Sequence, residues 1–145
     1  MLALICCKPA EVSLHELFSD HAVLQRGREI TLEGHSEPNA KIGARWRGQS
    51  YNVVADAEGR FILTFPSGEA GGPFTLKVGS QKIKDVLVGD VYLCSGQSNV
   101  ELPVRRCLDA VSEDIKGYSN EFIRYYAVPM AYSFGQQPDD ISGGQ

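Results

Sequence analysis

From Val12 to Val86 the chain reads as short runs of alternating polar and apolar residues separated by turns. Ala22-Val23-Leu24 precedes a turn at Gly27, and Glu29-Ile30-Thr31-Leu32-Glu33 alternates up to Gly34. Alternation of this kind predicts half-buried strands. Further strands are predicted over Lys41–Trp46, Ser50–Ala55, Arg60–Phe65 and Pro73–Val78. The breaks between them, Arg47-Gly48, Asp56-Ala57-Glu58-Gly59 and Glu69-Ala70-Gly71-Gly72, each supply a glycine for a turn. Strands recurring every ~8–12 residues indicate an antiparallel sandwich or barrel. Residues 12–86 are therefore expected to form one β-sandwich-like domain.

The pattern changes after Gly89. Val91-Tyr92-Leu93-Cys94 is apolar without alternation, as in a parallel strand covered on both faces. Glu101–Cys107 is a candidate helix limited by Pro103. Ala110–Tyr118 is a second, with Asp109 as its N-cap, and Glu121–Val128 (EFIRYYAV) reads as another strand. Strand, helix, strand is the start of a parallel α/β sheet. Residues 87–145 are few for a complete doubly wound domain, so this second domain is expected to be truncated.

Composition narrows the partners. The 145 residues are 43% hydrophobic and 22% charged, which is ordinary for a packed globular chain. With 14 basic and 18 acidic residues the formal net charge is −4, and no contiguous Lys/Arg block is present, which argues against nucleic acid as a partner. Cys6, Cys7, Cys94 and Cys107 have neither zinc-site spacing nor the density of a disulfide scaffold, so no metal is expected. The opening MLALICC, followed by Lys8 and Pro9, reads either as the clipped end of an export signal, with Cys6 or Cys7 as a lipid-attachment point, or as a plain N-terminus. The first reading implies a secreted, periplasmic or cell-envelope location. No apolar run approaches the ~18 residues of a membrane span.

The candidate chemistry lies in GDVYLCSGQSN, residues 89–99. A serine between a strand and a helix lies where free backbone N–H groups and the helix dipole favour an oxyanion, which suits an acyl-transfer nucleophile. Gly96 allows a tight turn, while Gln97 and Asn99 can hydrogen-bond around the Ser98 hydroxyl. Val100 occupies the last position of the G-x-S-x-G elbow, so that motif is not matched. Equally, Ser95, Ser98 and Asn99 are the residues of a polar turn and helix cap.

GDVYLCSGQSNVELP resembles the segment that opens the catalytic domain of the sialate O-acetylesterases, with Val100 in place of a usual methionine. LFSDHAVLQRG (17–27), ADAEGRFILTFPSGEAGGPFTLKV (55–78) and EFIRYYAVP (121–129) resemble other stretches of the same family. The resemblance implies a β-sandwich-like N-terminal domain followed by the truncated start of a flavodoxin-like (SGNH-type) α/β hydrolase domain. The implied activity is removal of O-acetyl groups from sialic acid or a related acetylated carbohydrate, without a cofactor. Ser98 would be the nucleophile and its N–H an oxyanion donor, with Gln97 and Asn99 as positioning residues. The family's base and orienting acid come from an Asp-x-x-His block, which these residues do not contain. His15, His21 and His35 all precede Ser98 and match no such block. The chain alone is therefore expected to lack esterase activity. A non-catalytic β module that binds a glycan or a partner domain is the alternative, with Trp46 and Tyr51 either packed in the core or forming a sugar platform.

Overall fold

The structure, a computed structural model, describes residues 8–96, 98–103, 106, 115 and 117–128. The MLALICC opening, Gln97, Cys107, most of the candidate helix at 110–118 and the polar stretch from residue 129 onward lie outside the described residues.

Among the described residues, eight strands form two sheets. In chain order they are β1 (Val12–Leu14), β2 (Val23–Gln25), β3 (Glu29–Ser36), β4 (Lys41–Trp46), β5 (Gln49–Val54), β6 (Arg60–Pro66), β7 (Gly71–Val78) and β8 (Gln81–Gly89). The smaller sheet has the order β1-β3-β6, and the larger β2-β8-β7-β4-β5. Every pairing is antiparallel except β2 with β8, which run parallel, so the expected all-antiparallel arrangement fails at that edge.

Side-chain alternation explains the strands that were predicted. On β6, Phe61, Leu63 and Phe65 are buried while their neighbours are exposed, and β4 buries Ile42, Ala44 and Trp46 in the same way. Together with Leu32, Leu76, Val78 and Ile83 these residues form one core shared by both sheets. Trp46 stacks within 5.9 Å of Phe65 and 5.5 Å of Phe74, and its indole N–H donates to the Ser67 carbonyl at 3.2 Å. That bond satisfies the polar atom that burying a tryptophan brings inside.

The chain crosses between sheets at Asp56-Ala57-Glu58-Gly59. There Asp56 Oδ1 accepts the backbone N–H of Glu58 at 3.0 Å and of Arg60 at 2.7 Å. This is the turn chemistry that short acidic side chains provide.

β8 escaped the alternation rule because Val86, Leu87 and Val88 are all buried. Leu87 N–H donates to the Ala22 carbonyl at 2.9 Å, and β2 covers the rest of that edge. A strand enclosed on both sides loses its period-2 signal. The expected domain division at 86/87 falls inside this strand.

Candidate active site

The path to Ser98 begins where β8 ends. Arg26 N–H donates to the Gly89 carbonyl at 2.8 Å, and the Arg26 guanidinium pairs with Asp90 at 2.8 Å. Val91 N–H then donates to Gln25 Oε1 at 2.8 Å. The end of β2 and the residue after it therefore fix the direction in which the chain leaves the β unit.

Beyond this anchor, Val91–Cys94 is not a strand. Tyr92 is 80% exposed and Leu93 90% exposed, and Cys94 is an exposed free thiol. The expected buried parallel strand needs a hydrogen-bonding neighbour and cover on both faces. Among the described residues nothing supplies either.

The helix that follows, α1 (Ser98–Glu101), starts at the candidate serine and is one turn long. Pro103 stops it, because a proline there lacks the N–H and crowds the carbonyl four residues back. Of the expected helix over Glu101–Cys107, Glu101 ends α1 and Leu102 and Pro103 are not helical, while residues 104, 105 and 107 lie outside the described residues. Ser98 and Asn99 are both exposed. Gly96 does not adopt a left-handed conformation. Its value is space, since a Cβ there would lie 2.7 Å from Val100 Cγ2. Gln97 lies outside the described residues.

Among the described residues, no histidine or carboxylate hydrogen-bonds to Ser98. His15 Nδ1 accepts the Leu17 N–H at 3.1 Å, and His35 lies on β3 beside Glu33 in a groove also lined by Asp56 and Arg60. His21 pairs through Nδ1 with Asp85 Oδ2 at 2.6 Å. All three thus occupy turn or strand positions in the β unit.

Sequence reasoning missed what surrounds Asp85. Arg124, in the stretch expected to be a strand, donates through Nη2 to Asp85 Oδ2 at 2.9 Å and through Nη1 to the His21 carbonyl at 2.9 Å and the Asp85 carbonyl. Its side chain is only 18% exposed. The His21 hydrogen bond, followed by the Arg124 contact, holds the Asp85 carboxyl below its ordinary range. Tyr126 OH adds a 3.3 Å contact to Glu16. Residues 123–128 are irregular and joined to the β unit by these polar contacts, not by sheet pairing. A lone arginine inside an aliphatic and aromatic run was the available signal.

No protein-family profile matches the chain. Its backbone matches the crystal structure of a carbohydrate acetylesterase from Xanthomonas citri with a TM-score of 0.84 and 36% identity, over 92% of this chain. The chain is related to the carbohydrate acetylesterases. A mouse sialate O-acetylesterase is 28% identical over 97 residues, 61% of this chain. The chain spans 31% of the bacterial acetylesterase and 18% of the mouse enzyme, so the relationship covers only part of either. Within the matched chain, the Trp46 indole is buried and unavailable as the alternative sugar platform, and Tyr51 packs 5.8 Å from Phe65.

Proposed function

We propose that these residues supply the nucleophilic block of a carbohydrate esterase that removes acetyl groups, with O-acetylated sialic acid as the substrate class. The observation that carries this reading is an exposed GQSN serine opening a helix, in a chain related to acetylesterases. In this reading β1–β8 form the supporting β domain, and the residues after Gly89 begin the SGNH-type α/β domain.

Ser98 Oγ attacks the acetyl carbonyl carbon while a base takes the hydroxyl proton. The carbonyl oxygen becomes an oxyanion, which accepts from the Ser98 N–H, one of the helix-start donors with no intrahelical partner. Collapse breaks the ester bond, and the sugar oxygen leaves with the proton. Water then attacks the acetyl-serine and releases acetate, restoring Ser98. Asn99 is the positioning residue beside it. The base and its orienting acid belong to an Asp-x-x-His block not found in residues 1–145.

The test joins mass to activity. The native product carrying this sequence is expected to exceed 15.9 kDa well beyond measurement error and to contain such a block. Ser98→Ala in it is expected to lower acetate release from O-acetylated sialic acid by about a million-fold. A native product of 15.9 kDa, or acetate release indifferent to Ser98→Ala, would overturn the reading.

A further inference from the structure

The outer face of the five-stranded sheet carries one sign of charge. Strand register sets Arg45 directly opposite Lys77, and Lys77 directly opposite Lys82, so three cations form a row across β4, β7 and β8. Ser50 on β5 continues the row beyond Arg45. Lys41 and Lys84 extend the positive face along β4 and β8. The five strands contain a single carboxylate, Asp85, and it is engaged by His21 and Arg124. None of Arg45, Lys77 and Lys82 ion-pairs with a carboxylate among the described residues. In a chain of net charge −4 this is a concentrated exception.

Like charges set directly opposite on neighbouring strands repel, and side chains chosen for stability alone would alternate in sign. A shallow cavity of about 160 Å³ lies in the row, lined by Arg45, Arg47, Phe74, Thr75 and Lys77. The Arg47 guanidinium is 4.6 Å from the Phe74 ring centre, with its Nη1 donating to the Glu69 carbonyl at 2.9 Å, so this cation is held in place. Thr75, Ser50 and Asn52 put neutral hydrogen-bonding groups beside the charges.

We propose that this face binds an anionic polysaccharide, its carboxylates or sulfates on the Arg45–Lys77–Lys82 row and its hydroxyls on Thr75, Ser50 and Asn52. The choice of a glycan rests on the acetylesterase reading, whereas the anion preference rests on the sheet alone. Single-stranded nucleic acid fits poorly, because the aromatic rings of these strands are packed inward or capped and offer bases nothing to stack on. A lipid surface fits poorly too, since the large apolar side chain exposed on the face is Val54, at the edge beside Lys41.

Affinity electrophoresis of the chain in gels containing polygalacturonate, heparin or neutral dextran tests this. The two anionic polymers are expected to retard it and dextran is not, with retardation fading as salt shortens the screening length from roughly 30 Å at 0.01 M to about 8 Å at 0.15 M. Arg45→Gln/Lys77→Gln is expected to weaken retardation by about tenfold and Lys82→Gln by about threefold, each exposed charge contributing modestly. Glu29→Gln/Glu33→Gln, on the other sheet, leaves it no weaker. Trp46 fluorescence verifies that each variant is folded, and Lys82→Gln serves if the double variant is not. Absence of retardation, retardation unchanged by the row variants, or a single-stranded oligonucleotide bound as tightly as polygalacturonate would overturn the proposal. Acetate release from a small neutral acetyl ester by the native product is expected to be the same with and without Arg45→Gln/Lys77→Gln, so failure of the esterase reading registers in a separate assay.

Discussion

Trp46 is 1% exposed and touches Phe65 of the smaller sheet and Phe74 of its own sheet, so its removal opens the centre of the core. Trp46→Ala is expected to cost about 3–5 kcal/mol, read by urea unfolding monitored with circular dichroism. A loss under about 1 kcal/mol would mean that the core closes around the gap without it. Gly59 tests a different kind of constraint. Its φ is +83°, and a Cβ there would lie 2.3 Å from the Ser36 carbonyl oxygen, a backbone atom that cannot swing aside. The same oxygen-to-Gly59 region carries the Ser36 N–H bond to the Gly59 carbonyl at 2.8 Å. Gly59→Ala is therefore expected to loosen the crossing between sheets and to destabilise by more than the ~1 kcal/mol that glycine replacement commonly changes in either direction. A melting temperature equal to that of the parent would contradict this. Both residues were visible in the sequence, one as an apolar position in β4 and one as turn punctuation. The close approach to Ser36 was not, because it joins segments that pair only in three dimensions.

Among elements, the segment around Arg124 depends on charge more than on apolar packing. Asp85 is the acceptor on which His21 and Arg124 converge, and its carboxyl is held below its ordinary value by those two partners. A depressed carboxyl stabilises the folded form above its unfolded-state value of about 3.9, and that contribution disappears as pH falls through the lower folded-state value. Amide protection at 118–128 is therefore expected to hold from pH 7 to 5 and to fall below about pH 4. Asp85→Asn is expected to show reduced protection already at neutral pH, and Arg124→Gln the same. Hydrogen exchange followed by mass spectrometry reads both, and protection at pH 3 equal to that at pH 7 would rule the clamp out. The cationic row makes a second element-scale expectation. Lys77→Gln relieves repulsion from Arg45 and Lys82, so it should raise stability by about 0.2–1 kcal/mol at low salt. The gain should vanish near 1 M salt, where the Debye length is about 3 Å.

Across the whole molecule, strands that alternate were legible and those enclosed on both sides were not. β3, β4 and β6 show one buried face and one wet face, so their residue order alone reveals them. β8 hides because Val86, Leu87 and Val88 are all covered, and Val91–Cys94 misleads because an apolar run is compatible with burial that the described residues around it do not provide. Ser98 was legible as a candidate from its motif, whereas the Asp85–Arg124 contact joins residues 39 apart and leaves no local trace. The uncovered apolar run has a physical consequence. Tyr92, Leu93 and Tyr125 are each at least 80% exposed, and Phe122 and Ile123 are 64% and 66% exposed. Large apolar side chains left exposed in this number drive association in water when nothing else covers them. The 145-residue chain is therefore expected to sediment with a mass that rises with concentration, and Leu93→Gln/Tyr125→Ser to shift that rise to higher concentration. A piece ending at Asp90 keeps all eight strands and the Arg26–Asp90 pair, and it is expected to stay monomeric with the same buried-Trp46 emission. A parent chain monomeric at every concentration would show that residues 91–128 cover one another in solution.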